Sequence, residues 1–172
     1  NLLINPKDIN AILSPFFQKL QNEKRQAQFE KMQAEAEVKF ADVKKAGIDF
    51  LAANKLKKGV KTTASGLQYT VIKEGKGEKP NATSKVKVHY HGTNLDGSVF
   101  DSSVEKKKPY ELGVNQFVKG FGEGLQLMTV GSKYKFFIPQ ELAYGATPRQ
   151  GGPIKPFAAL IFEVELLDIL KK

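Results

Sequence analysis

Cysteine is absent from these 172 residues, which excludes a disulfide framework and cysteine-based redox or metal chemistry. No run of eighteen apolar residues occurs, so no segment reads as a membrane-spanning helix. Histidine is scarce: His89 and His91 are the only two, and they alternate with Tyr90 on what would be one face of a strand. Zinc there would need two further ligands that the sequence does not supply, so both read as surface histidines and no metal is expected. The chain opens at Asn1 with neither a methionine nor a basic and apolar leader, the expected look of a mature or trimmed terminus. A concentrated basic patch is missing too. The net charge of +9 divides into +4 over residues 1–60 and +5 over 61–172, and the one dense run is Lys106-Lys107-Lys108. Spread charge, without aromatics interleaved for base stacking, reads as a solvated basic surface and not as a nucleic-acid interface.

What is present falls into two halves with different periods. Asn5-Pro6-Lys7-Asp8 is a helix-start signal, with Asn as N-cap and Pro at the first helical position. Ile9, Ile12, Leu13, Phe16, Phe17 and Leu20 follow at the spacing of a single helical stripe, and Pro15 predicts a kink or break near Leu13. Residues 21–37 turn polar; Phe40, Val43, Ile48, Phe50 and Leu51 restore an apolar face before a stop near Gly59. One helix from Asp8 to Lys57 would be about 75 Å long. It would then be a stalk whose polar middle stands in water; the alternative is a short helical hairpin folded against the other half.

After Lys61 the period becomes two. Val86, Val88 and Tyr90, then Tyr134, Phe136 and Ile138, then Leu160, Phe162, Val164 and Leu166 alternate with polar residues, the pattern of half-buried antiparallel strands. Leu95-Asp96-Gly97-Ser98 carries a hairpin-turn signal. The span 117–128 is the one helical candidate in this half, and Gly120, Gly122 and Gly124 make it weak unless packing holds it. The expected class is α+β: a helical segment over 1–60, then an antiparallel sheet wrapped on a short helix over 61–172.

Four stretches carry aromatics beside polar groups: residues 87–92, 99–103 with Asp101 directly after Phe100, 143–148 with Tyr144, and 159–166. Aromatic walls with one acid and one phenol suit a small apolar ring joined to an amide, which is what proline in a peptide presents. Their order and spacing resemble the FKBP-type peptidyl-prolyl isomerases over roughly Gly66 to Leu170. The helical stalk and the Ser65-Gly66-Leu67-Gln68-Tyr69 junction are similar to the Mip/FkpA subgroup of bacterial cell-envelope enzymes.

The resemblance implies a half-barrel fold and a cofactor-free isomerase whose pocket falls on named positions. Tyr90, Phe100 and Phe162 would be aromatic walls; Phe117 and Val118 would line one side, with the Val118 N–H donating to the peptide. Phe121 would be the floor, Tyr144 would offer its hydroxyl to a substrate carbonyl, Ile154 would close the loop side, and Leu112 would add a further wall. Asp101 would polarise the rim without transferring a proton. The family usually has Trp at the floor, so Phe121 implies weakened binding of macrolide inhibitors. The 109–113 stretch is shorter than in small eukaryotic members, which leaves Tyr110 without an assigned place. The resemblance also implies a periplasmic or envelope location, proline-containing polypeptide clients, and a homodimer through N-terminal helices in the full-length protein. The rival reading is a chaperone module that binds proline-containing clients with little catalysis.

Overall fold

A computed structural model describes residues 6–170, with side chains from Leu13 onward. Asn5 lies outside the described residues, and Ile9 and Ile12 outside the described side chains. Two compact units divide at Lys39/Phe40. In the first, α1 (Pro6–Lys39) is 34 residues of continuous helix that includes Pro15, so of the kink or break expected near Leu13 the break does not occur. Helical spacing on its solvent faces is reinforced by Lys19–Glu23 and Lys31–Glu35 ion pairs at 3.9 Å and a Gln26–Glu30 hydrogen bond at 2.8 Å, each adding a few tenths of a kcal/mol. Phe16 and Phe17 are more than half exposed, so among the described residues of this unit nothing covers these two rings of the apolar stripe.

The expected single 50-residue helix is two. Phe40 leaves helical geometry (φ −115°, ψ 24°), and α2 (Ala41–Asn54) belongs to the second unit. Helix α2 ends at Asn54, earlier than the stop expected at Gly59; Gly59 instead takes φ +86° in the turn that follows. Packing within the second unit explains why α2 stays there. The Phe50 ring sits 6.0 Å from that of Phe137. Buried Asn54 donates to Gln68 Oε1 at 3.0 Å, and Gln68 Nε2 donates to the Leu51 carbonyl at 2.8 Å. A polar pair this enclosed satisfies itself and ties the helix end to the sheet.

The sheet comprises β1 (Lys61–Thr62), β2 (Gln68–Lys73), β3 (Lys85–Thr93), β4 (Val99–Ser102), β5 (Tyr110–Gly113), β6 (Lys133–Ile138) and β7 (Leu160–Leu170). All pairings are antiparallel, in the order β1-β2-β6-β7-β3-β4 with β5 also on β3. The alternation read from sequence holds: Val86, Val88, Tyr90, Phe136, Ile138, Leu160, Phe162, Val164 and Leu166 are all buried. Their face is covered by α3 (Lys119–Leu127), which follows a 3-10 turn at Val114–Gln116.

The glycines of α3 are what permit this packing. A Cβ on Gly120 would lie 2.5 Å from Ile138 Cγ2, and one on Gly124 would lie 2.6 Å from the Phe136 ring. Ordinary carbon contacts are about 3.5–4.0 Å, so only glycine at both positions lets the helix settle on β6. Close approach outweighs the propensity cost of roughly 1 kcal/mol per glycine.

Candidate active site

The inward ends of β3 and β7, the mouth of β4, the start of α3 and the loop before β7 enclose one cavity of about 590 Å³. All ten positions singled out in the sequence line it: Tyr90, Phe100, Asp101, Leu112, Phe117, Val118, Phe121, Tyr144, Ile154 and Phe162. Phe121, 1% exposed, is the base of the hollow. It stacks on Phe117 at 4.4 Å and meets Phe162 and Tyr90 edge-on at 5.0 and 5.7 Å. Phe100 in turn meets Phe162 edge-on at 5.2 Å. These offset and T-shaped pairs hold their rings in place and leave apolar faces to whatever enters.

Glycine 92 makes the wall geometry feasible. It stands at an inward position of β3, opposite Asp101 on β4 and Phe162 on β7. A Cβ there would be 2.6 Å from Phe100 Cε2 and Cζ and 3.0 Å from Phe162 Cε1. Sequence reading included Gly92 in a motif without giving it this role; a glycine breaking the inward alternation of β3 is the signal that was available.

One polar cluster sits on the rim. The Tyr90 hydroxyl donates to Asp101 Oδ2, and Lys106 Nζ donates to Asp101 Oδ1 at 2.6 Å and to the Tyr110 hydroxyl at 3.2 Å. Burial raises the Asp101 pKa, but the Lys106 and Tyr90 hydrogen bonds and the Lys106 charge together outweigh it and hold the carboxyl below its ordinary range. Burial, followed by the bond to Asp101, pushes the Tyr90 phenol far above its usual value. Asp101 is thus ionised at neutral pH with both oxygens occupied, and Tyr90 keeps its proton. Neither is placed to exchange a proton with a ligand.

Tyr144 is different. It is 43% exposed, and no hydrogen bond among the described residues uses its hydroxyl. Burial and then the nearby Asp101 charge raise its pKa, so it remains a donor. The Val118 N–H likewise donates no hydrogen bond among the described residues; Val118 is extended (φ −59°, ψ 152°) as α3 begins, and its carbonyl accepts from Gly122 N at 3.0 Å. The cavity therefore combines aromatic walls with two available donors.

Lys106 was the residue most plainly missed. Placed in a triple-lysine run it reads as surface charge, yet its ammonium closes the Asp101 cluster. Pro148, the last residue of the 143–148 stretch, also lines the cavity, as do Gln116, Arg149 and Pro153, which lacked an interpretable local pattern. Tyr110 stacks on Tyr90 at 5.3 Å behind the wall, while Leu112 reaches the cavity. The histidines bond serines: His89 Nδ1 to Ser103 Oγ and His91 Nδ1 to Ser102 Oγ, both at 2.9 Å.

Comparison with known proteins accords with this arrangement. Residues 76–167 match the family described as FKBP-type peptidyl-prolyl cis-trans isomerase, and residues 2–71 match the domain amino-terminal to it. The chain is 52% identical over 138 residues to an FKBP-type peptidyl-prolyl cis-trans isomerase FkpA of Aeromonas hydrophila, covering 80% of this chain and 51% of that protein. It is 42% identical over 171 residues to the outer membrane protein MIP of Legionella longbeachae, covering 99% of this chain and 69% of the other. The crystal structure of FkpA from Escherichia coli superimposes with a TM-score of 0.73 at 34% identity, over 97% of this chain and 74% of that one. The chain thus spans about half the length of the Aeromonas relative. No described helix is long and apolar enough to cross a membrane. With its antiparallel sheet wrapped on a short helix and its aromatic cavity, this chain belongs to the FKBP-type peptidyl-prolyl cis-trans isomerase family.

Proposed function

We propose that the chain accelerates cis–trans isomerisation of X-Pro bonds in folding polypeptides, using the aromatic cup and no covalent intermediate. The observation that carries this reading is the division of labour in the cavity. Its one carboxylate, Asp101, is fully engaged by Tyr90 and Lys106, while the Tyr144 hydroxyl and Val118 N–H donate no hydrogen bond among the described residues.

Rotation about a prolyl amide is slow because it breaks resonance across a barrier of roughly 20 kcal/mol, taking tens of seconds unaided. The twisted amide carries less charge separation than the planar one. A dry aromatic cup therefore disfavours the planar ground state relative to the transition state, and donors held in place assist where carbonyl geometry changes. About 6 kcal/mol of such differential stabilisation brings the step to the millisecond range, at about 1.4 kcal/mol per factor of ten. The prolyl ring lies on Phe121 between Tyr90, Phe100 and Phe162. Val118 N–H and the Tyr144 hydroxyl take the flanking carbonyls, and Asp101 fixes Tyr90 and adds its field. Leu112, Phe117 and Ile154 complete the lining.

The broader setting is proposed on the same basis. Residues 61–172 are the catalytic domain and 1–60 the helical segment, with α2 buttressing the domain's sheet. The exposed Phe16, Phe17 and Leu20 of α1 pair with a second copy, and the protein works in the bacterial envelope on proline-containing clients.

A protease-coupled tetrapeptide assay tests the core claim. The expected result is acceleration that Phe100→Ala combined with Asp101→Ala removes. A folded, unmodified chain that leaves the uncatalysed rate unchanged would refute it and leave only client binding.

A further inference from the structure

A second cavity, of about 320 Å³, adjoins the first. Helix α2 gives it Val43 and Ala46, the turn between β3 and β4 gives Leu95, and the segment leading into β7 gives Pro153, Ala158 and Ala159. The hollow exists because three of its side chains are alanines and because α2 comes close. A Cβ on Gly47 would stand 3.2 Å from Ala159 Cβ.

Two features tie this groove to the prolyl cup. Pro153 lines both cavities. Its carbonyl also accepts from Asn94 Nδ2 at 3.2 Å, which fastens the β3–β4 turn to the loop that separates them. The rim is charged but self-compensated. Asp96 Oδ1 accepts from Ser98 N and Oγ at 2.9 and 2.6 Å and lies in the field of Lys155. Opposite charges at the edge of an aliphatic floor leave neither sign of ligand favoured.

We infer that this groove is a second subsite for the polypeptide client, holding an aliphatic side chain a few residues along from the proline in the cup. The inference rests on the isomerase reading for its choice of occupant. A peptide leaving the cup over Pro153 in extended form advances about 3.3 Å per residue, so it meets the next hollow within a short span. An unfolded client exposes aliphatic side chains near its prolines, and a floor of Val, Leu, Pro and Ala offers them apolar cover. Substrate selection would then depend on α2, outside the sheet that carries the prolyl site.

The test uses the full chain and nonapeptides with a fixed central X-Pro, in which one Leu is walked through a Ser background. Fluorescence anisotropy gives Kd at each position, and a tetrapeptide too short to reach the groove reports basal turnover. Ala46 is exposed on a helix, so Ala46→Phe fills the hollow and Ala46→Asp places a charge in it with little disturbance of folding. Leu is expected to tighten binding about five- to tenfold at one or two positions, as for partial burial of such a side chain. Both variants should lose that gain with tetrapeptide turnover kept within twofold. A flat walk, or a Leu preference that survives both variants, would overturn the inference. Absent tetrapeptide turnover in the unmodified chain would sink the isomerase reading instead, and the position dependence of Kd would still decide the groove.

Discussion

Adding one methyl group at Gly92 should disable the site out of proportion to its effect on stability. The alanine Cβ would lie 2.6 Å from two carbons of the Phe100 ring and 3.0 Å from Phe162 Cε1, about 1 Å inside ordinary contact. Something must move, and burial decides which. Phe162 is 5% exposed and wedged against Tyr90, Phe100 and Phe121. Phe100 is only half-buried and has the cavity on its other side. Its ring should therefore swing into the cavity, the space proposed for the prolyl ring. Overpacking costs about 1–3 kcal/mol, and yielding toward an open cavity puts this case at the low end, a fall in Tm of a few degrees. Binding should suffer more, with kcat/KM on a tetrapeptide down at least tenfold and most of the loss in KM. Gly124→Ala is the control. Its Cβ meets the Phe136 ring at the same 2.6 Å, but behind the floor of the cup. Any helix-propensity gain, up to about 1 kcal/mol, offsets part of its cost. It should lower Tm at least as much as Gly92→Ala yet keep kcat/KM within a few-fold well below the transition. Equal loss of activity in both variants, or none in Gly92→Ala, would refute the assignment of the Phe100–Phe162 wall to the substrate.

Two further outcomes follow from the polar groups. Tyr144→Phe should leave Tm unchanged, because no internal bond is lost, and should lower kcat/KM about five- to tenfold, the worth of one hydrogen bond to substrate; an unchanged rate would remove the hydroxyl from the mechanism. Asp101 has its folded pKa below its unfolded value, so its stabilising contribution is present above the ordinary carboxylate range and lost as pH falls through the depressed folded value. Urea unfolding should then show a loss on acidification below about pH 4 that is smaller in Lys106→Met, whose aspartate no longer has its cation; identical acid limbs in the two proteins would count against the Lys106–Asp101 pair.

How much of this could be read in the sequence varied with the physics behind each element. The strands were legible because a sheet with one wet face must alternate, and the Val86–Val88–Tyr90 and Phe136–Ile138 patterns left little choice. The ten pocket positions came from order and spacing against a known family, and they do gather on one cavity; local propensity alone would have left Tyr90 and Phe162 as ordinary core. The limit of the helix was not legible. Phe40 opens the apolar face that resumes after the polar stretch 21–37, with no Gly or Pro to mark a boundary, and what separates α1 from α2 there is the docking of α2 through Phe50–Phe137 and Asn54–Gln68, pairs made between distant parts of the chain. Lys106 fails for the same reason. In sequence it is one of three consecutive lysines, and only the fold of the 103–109 turn chooses which of them reaches Asp101. The glycines show the converse. Gly120 and Gly124 weaken α3 by every local measure, and that weakness signalled a helix pressed against something, four residues apart on the face that meets β6. Where a residue violates its local preference, a partner elsewhere in the chain is the physical reason to look for. In this molecule the violations at Gly120 and Gly124 trace the packing of α3 on β6 behind the cup, and the one at Gly92 traces the cup's own wall, so changing Gly92 should perturb the site more than changing any exposed lysine other than Lys106.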